Sequence, residues 1–150
     1  MSDLSRENLE DLADLYQALS NEKRLRILLQ LYNDEPVSEL TEELGISRSG
    51  LQKNIERLID SELAFRPQKE GSKTYALTPL GEHYVHVLEK DKETSLKTRE
   101  MLEKELNRLE QEQSDTRETL EEAGVDVTEF ERKLKQEAWQ NIWEDAEEKL

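Results

Sequence analysis

Apolar residues in the first third of the chain recur at three- and four-residue steps, separated by short polar breaks. Leu9, Leu12, Leu15, Tyr16 and Leu19 fall on one face of a first predicted helix. Ser20 is suited to cap a second helix, which Leu25, Ile27, Leu28 and Leu31 carry to about Tyr32. Asn33, Asp34, Glu35 and Pro36 break the pattern. Ser38 can cap a short third helix ending at Leu44, where Gly45 supplies a left-handed stop and Ile46 a buried turn residue. Ser47 then caps a fourth helix. After Leu63 the period changes to two: Leu63, Phe65 and Pro67 alternate with Ala64 and Arg66, and Lys73, Tyr75 and Leu77 alternate with Thr74 and Ala76. This predicts a short hairpin with Gln68 to Ser72 at its tip. Thr78 followed by Pro79 pairs a capping hydroxyl with a proline at the first helical position.

From Pro79 nothing obvious stops a helix before Gly124. Val85, Leu88, Leu102, Leu106, Leu109 and Leu120 share one heptad register, but Lys92, Ser95, Arg99, Gln113 and Thr116 interrupt it, so the pattern is coiled-coil-like without being a regular zipper. Beyond Gly124, Asp126 and Glu129 have the spacing of a capping box. Val127, Phe130, Leu134, Ala138, Ile142, Ala146 and Leu150 form a stripe flanked by Trp139 and Trp143. Each tryptophan carries about 150–250 Å² of surface that favours cover. The terminal helix is therefore expected to fold back on the long helix or to dock on a second subunit. The pattern predicts a mainly α chain with one small β element, organised as a head over 1–90 and a helical extension over 91–150 for dimerisation.

Composition restricts the size of the core and the available chemistry. Only 34% of the 150 residues are hydrophobic and the mean hydropathy is −0.93, too little for one large core. No long apolar run and no basic leader precede the first helix, so a cytoplasmic protein without a membrane partner is expected. With no cysteine, two histidines and five glycines, neither thiolate catalysis nor a glycine-rich phosphate cradle is provided for, and no enzyme activity or cofactor is expected.

A formal charge of −15 argues, taken whole, against nucleic acid, yet its distribution is uneven. Between Arg48 and Lys73 the sign reverses: Arg48, Lys53, Arg57, Arg66, Lys69 and Lys73 face four acids, Glu56, Asp60, Glu62 and Glu70. The remaining acidity has two explanations. One is a glutamate-rich solvated helix surface, with 27 Glu against 9 Asp. The other is a halophilic setting, a cytoplasm rich in salt, where a Debye length of about 3 Å at 1 M suppresses repulsion. Eleven lysines weigh against the second.

Specific residues join this order of elements. The stretch Ala18-Leu19-Ser20-Asn21-Glu22-Lys23-Arg24-Leu25-Arg26-Ile27-Leu28 resembles the second-helix signature of ArsR-type bacterial and archaeal repressors. Val37 to Ser49 is similar to their helix-turn-helix entry, and Thr78-Pro79-Leu80-Gly81 to the element that closes the wing in related regulators. The resemblance covers about residues 8 to 90. Thr41, Gly50 and Glu62 depart from it, standing where alanine, a larger residue and glycine are usual.

The resemblance implies a winged helix-turn-helix domain followed by long helices, and a sequence-specific transcription regulator that binds double-stranded DNA as a homodimer. Leu51, Ile55 and Leu58 would pack inward, leaving Ser47, Arg48, Ser49, Gln52, Lys53 and Arg57 for the major groove. Arg48 and Gln52 have the planar two-point geometry that reads base edges, whereas Lys53 and Ser49 suit phosphate. Arg66, Lys69, Ser72 and Lys73 would lie on flanking DNA. Dimerisation is expected through Leu88, Leu102, Leu106, Leu109, Phe130, Leu134, Trp139, Ile142 and Trp143, with an effector or protein partner at these helices as a further use. His86 and Glu89 have the spacing of half a zinc site of this family; the other half is missing, so His83, His86 and Glu89 are expected to hold no metal. The alternative function is a winged-helix adaptor that binds protein and lacks specific DNA affinity.

Overall fold

The computed structural model describes residues 3–68 and 75–148, which fall in two compact units, 1–89 and 90–150. In the first, α1 (Arg6–Leu19) begins at Ser5, whose hydroxyl accepts from the Asn8 amide. The next cap is one residue later than the sequence suggests: Ser20 ends α1, and Asn21 caps α2 (Glu22–Tyr32). The Asn21 side-chain carbonyl accepts from both Lys23 and Arg24 amides, satisfying two donors that a helix start leaves unpaired. Ser20 instead turns its hydroxyl back to the Gln17 carbonyl.

The segment Val37–Glu39 is a 3-10 turn, and α3 (Leu40–Leu44) starts after it, so Ser38 caps no helix. Pro36, with φ of −63°, leads into the tighter turn, and the Ser38 carbonyl accepts from the Thr41 hydroxyl. Gly45 takes φ +62° and closes α3 through its amide to the Glu42 carbonyl. Ser47 then caps α4 (Arg48–Asp60), accepting from the Gly50 amide at 3.0 Å.

Two strands, β1 (Ala64–Phe65) and β2 (Ala76–Leu77), pair antiparallel with Ala64 opposite Leu77 and Phe65 opposite Ala76. Ala64 is buried and Phe65 exposed, so the apolar alternation read from Leu63 to Pro67 does not define an inner face. In a ladder of two residues, Leu63 is buried by the end of α4 rather than by the pleat. Ile27, Leu28, Ile55, Leu58, Leu63 and Val85 are fully buried and draw α2, α4, β1 and α5 (Pro79–Glu112) into one core. Each such side chain contributes about 1.5–3 kcal/mol on burial.

In the second unit α5 stops at Glu112, and α6 (Ser114–Glu122) follows Gln113. Nothing obvious in the sequence announces this break before Gly124. Ser114, Asp115 and Thr116 are weak helix formers, and the Ser114 hydroxyl bonds to the Gln111 carbonyl. After Gly124, at φ +72°, comes α7 (Thr128–Glu148). Asp126 accepts from the Thr128 amide and hydroxyl, but Glu129 pairs forward with Arg132, so no reciprocal capping box forms. Within one chain α7 packs on α5: Leu109, Leu134 and Ala138 are buried together, flanked by Leu102, Leu106 and Phe130. Among the described residues no helix is long and apolar enough to cross a membrane.

Candidate nucleic-acid interface

The turn between α3 and α4 sets the orientation of the α4 start. The Ile46 amide donates to the Thr41 carbonyl, and the Ser47 hydroxyl, besides capping, lies 3.0 Å from that of Ser49. A Cβ on Gly50 would sit 3.3 Å from the Ser47 Oγ and crowd the capping hydroxyl. Arg48 and Lys53 are exposed, and neither makes a hydrogen bond or ion pair among the described residues.

Gln52 is differently placed. Its Oε1 accepts from the Tyr75 hydroxyl at 3.1 Å, and its Nε2 approaches Glu56 at 3.4 Å. Tyr75 in turn accepts from Arg66 at 2.8 Å, and the Arg66 guanidinium lies 5.1 Å from the Tyr75 ring centroid. The chain Arg66–Tyr75–Gln52 therefore ties the residues beside the strand ladder to α4. The sequence by itself points Gln52 to base recognition and gives Tyr75 no role. Its polar end was hidden in a strand pattern that reads as apolar alternation.

Arg57 does not share the face of Arg48. Nine residues further along a helix of about 3.6 residues per turn lies the opposite flank. There Arg57 is half-buried, reaches the Ser61 hydroxyl at 3.5 Å, and lines a recess of about 390 Å³ with Asp11, Asp14, Asp60 and Glu62. Its surroundings are thus acidic. Lys69, Ser72 and Lys73 lie outside the described residues.

A second arginine that sequence reasoning passed over holds the head together. Arg24 donates Nε to the Ala18 carbonyl at 2.6 Å, Nη2 to Gln17 at 3.2 Å and Nη1 to Asn54 Oδ1 at 3.1 Å. Asn54 completes the link by donating to the Gly50 carbonyl. One guanidinium thus satisfies the end of α1 and fixes α4 against it. Burial, and secondarily the charge of Arg57, lowers the Arg24 pKa below the usual arginine range. Nothing in the sequence sets Arg24 apart, because Glu22, Lys23 and Arg26 share the same helix start.

Between the break after α2, the 3-10 turn, α4 and Tyr75 runs a cleft of about 590 Å³. Its lining includes the apolar Leu31, Val37, Leu51 and Ile55 together with Glu35, Arg48 and Gln52.

The residues assigned to dimerisation divide. Leu88 packs on the core of the first unit, Leu102, Leu106, Leu109, Phe130 and Leu134 on that of the second, and Ile142 is half-buried. Trp139 and Trp143 remain 38% and 55% exposed. His86 sits edge-on to Tyr32 and 3.8 Å from Glu89, while His83 sits edge-on to Tyr84. Among the described residues no three acids or histidines gather as a metal site. No protein-family model matches this chain, and no curated protein is significantly similar to it.

Proposed function

We propose that this chain is a transcription regulator that binds specific double-stranded DNA as a homodimer, through a head of winged helix-turn-helix type. The observation that carries this reading is the pair Arg48 and Lys53: exposed, without an intramolecular partner among the described residues, on the helix that follows the Gly45 turn, in a chain of net charge −15. Arg48 would read a guanine edge, and Lys53 with the Ser49 hydroxyl would hold phosphates. Gln52 would act through Tyr75 by keeping Arg66 over flanking DNA. Leu9 and Tyr16 of α1 and Trp139 and Trp143 of α7 are exposed apolar groups available to a second subunit. A two-fold dimer would present two α4 helices about 34 Å apart to a pseudo-palindrome.

Selection of bound genomic fragments at physiological salt, followed by gel shifts across a salt series, tests this. Arg48→Ala should relax preference at one base pair, costing about 1–3 kcal/mol there. Lys53→Ala should weaken all sequences alike and reduce the salt slope by about 1. Unchanged affinity in both variants overturns the proposal. The two exposed tryptophans also favour a second reading, an adaptor that docks protein, and such a molecule would show no sequence preference at any salt.

A further inference from the structure

The cleft beside α4 combines features that a DNA-reading surface does not require. Its lining combines the apolar Leu31, Val37, Leu51 and Ile55 with polar groups, and its volume of about 590 Å³ lies in the range of small-molecule sites, roughly 300–1,000 Å³. In that lining the Arg48 guanidinium is exposed and has no partner among the described residues, whereas the Tyr75 hydroxyl and the Gln52 amide oxygen are bonded to each other.

We propose that this cleft binds a small effector with a flat apolar body and a single carboxylate, the carboxylate taken by Arg48. A guanidinium matches a carboxylate in two parallel hydrogen bonds, and apolar walls favour a ring system over a sugar or a peptide. Glu35 also lines the cleft, so a second negative charge on the ligand is opposed. One consequence rests on the DNA-binding reading above: Arg48 cannot hold a carboxylate and a guanine edge together, so effector and DNA exclude one another. Tyr75 gives the same occupant access to the link between Gln52 and Arg66.

The first experiment needs no DNA. 1-Naphthoate, the neutral 1-naphthylmethanol and the cationic 1-naphthylmethylamine are titrated into the isotope-labelled full chain, and amide shifts are followed by NMR. Saturable naphthoate shifts at Val37, Arg48, Leu51 and Gln52 are expected. Arg48→Gln should weaken naphthoate about tenfold or more, as loss of a charge-assisted pair does, and leave the alcohol within about twofold. Ser38→Trp, at an exposed position on the edge, should block the naphthoate and the alcohol without disturbing the core. Absence of saturation, shifts mapping elsewhere, undiminished binding to the Ser38→Trp chain, or preference for the amine overturns the site. The second experiment adds a selected DNA fragment, whose affinity should fall about tenfold or more at saturating naphthoate. Equal DNA affinity with and without naphthoate overturns the exclusion. Naphthoate bound in the cleft by a chain that binds no DNA removes the DNA-binding reading and leaves the site standing.

Discussion

A Cβ on Gly81 would come within 2.2 Å of the Leu63 carbonyl oxygen, a backbone atom that cannot swing aside. That carbonyl already accepts from the Thr78 amide, while the Thr78 hydroxyl reaches both the Glu62 carbonyl and the Gly81 amide. The glycine thus lets α5 start against the end of α4. Gly81→Ala should destabilise the head by about 2–3 kcal/mol despite alanine's better helix propensity, read as a lower urea midpoint. At Glu62 the conflict runs the other way. It holds φ +64°, a left-handed conformation costly for a residue with a side chain. Glu62→Gly should stabilise the head by about 1 kcal/mol, and a lower midpoint in that variant would show that Glu62 makes a compensating contact. Both residues were visible in the sequence, the first inside Thr78-Pro79-Leu80-Gly81 and the second as a departure. Only the backbone path showed which was a necessity and which a cost.

At the scale of elements, the helical pairing in the second unit rests on a very small core. Leu109, Leu134 and Ala138 are its buried residues, and the surrounding ion pairs are exposed, the kind worth about 0–1 kcal/mol. Leu109→Ala should therefore release α7 at a cost of roughly 2–5 kcal/mol. Both tryptophans of the chain sit on α7, so their fluorescence reports that release directly. Glu105 adds a polar tie between α5 and α7, accepting from Asn141 at 3.1 Å as well as from Arg108. The Arg108 hydrogen bond, then that of Asn141, holds its carboxyl below the usual carboxylate range. A carboxylate depressed in the folded state binds fewer protons there than when unfolded. Its contribution is thus complete above the ordinary glutamate value, about 4.3, and is lost as pH falls through the lower folded value. Glu105→Gln should accordingly lower the urea midpoint at pH 7, with the difference from the natural chain narrowing below about pH 4. A constant difference across pH would show that the contact does not depend on charge. Periodicity revealed the leucines of α5 and the stripe of α7. It could not tell whether they meet in one chain or between two, because a heptad pattern describes a face and not its partner.

For the molecule as a whole, the net charge of −15 is a source of self-repulsion, and several arginines among the acids are committed to particular partners. Arg24 holds helix ends, Arg57 faces a recess of acids, and Arg108, Arg117 and Arg132 pair with glutamates. Screening should raise the thermal midpoint as KCl increases, most steeply below about 0.5 M, because the Debye length has already shrunk to roughly 3 Å at 1 M. A midpoint that is flat or falls over this range would mean that repulsion is not what limits stability.

The order and kind of the main elements follow from the sequence alone. Local signals specify them: apolar steps of three and four, the left-handed stop at Gly45, the Ser47 cap, the period change after Leu63 and the Thr78-Pro79 start. Such signals act within a few residues and need no distant partner. Tertiary structure alone decided the use of the polar side chains. The bond from Gln52 to Tyr75 spans 23 positions, that from Arg24 to Asn54 spans 30, and that from Asn141 to Glu105 spans 36. Whether an arginine faces solvent or a carbonyl depends on which elements pack beside it. For that reason Arg48 and Arg57, alike as letters on one helix, ended on opposite flanks with different neighbours.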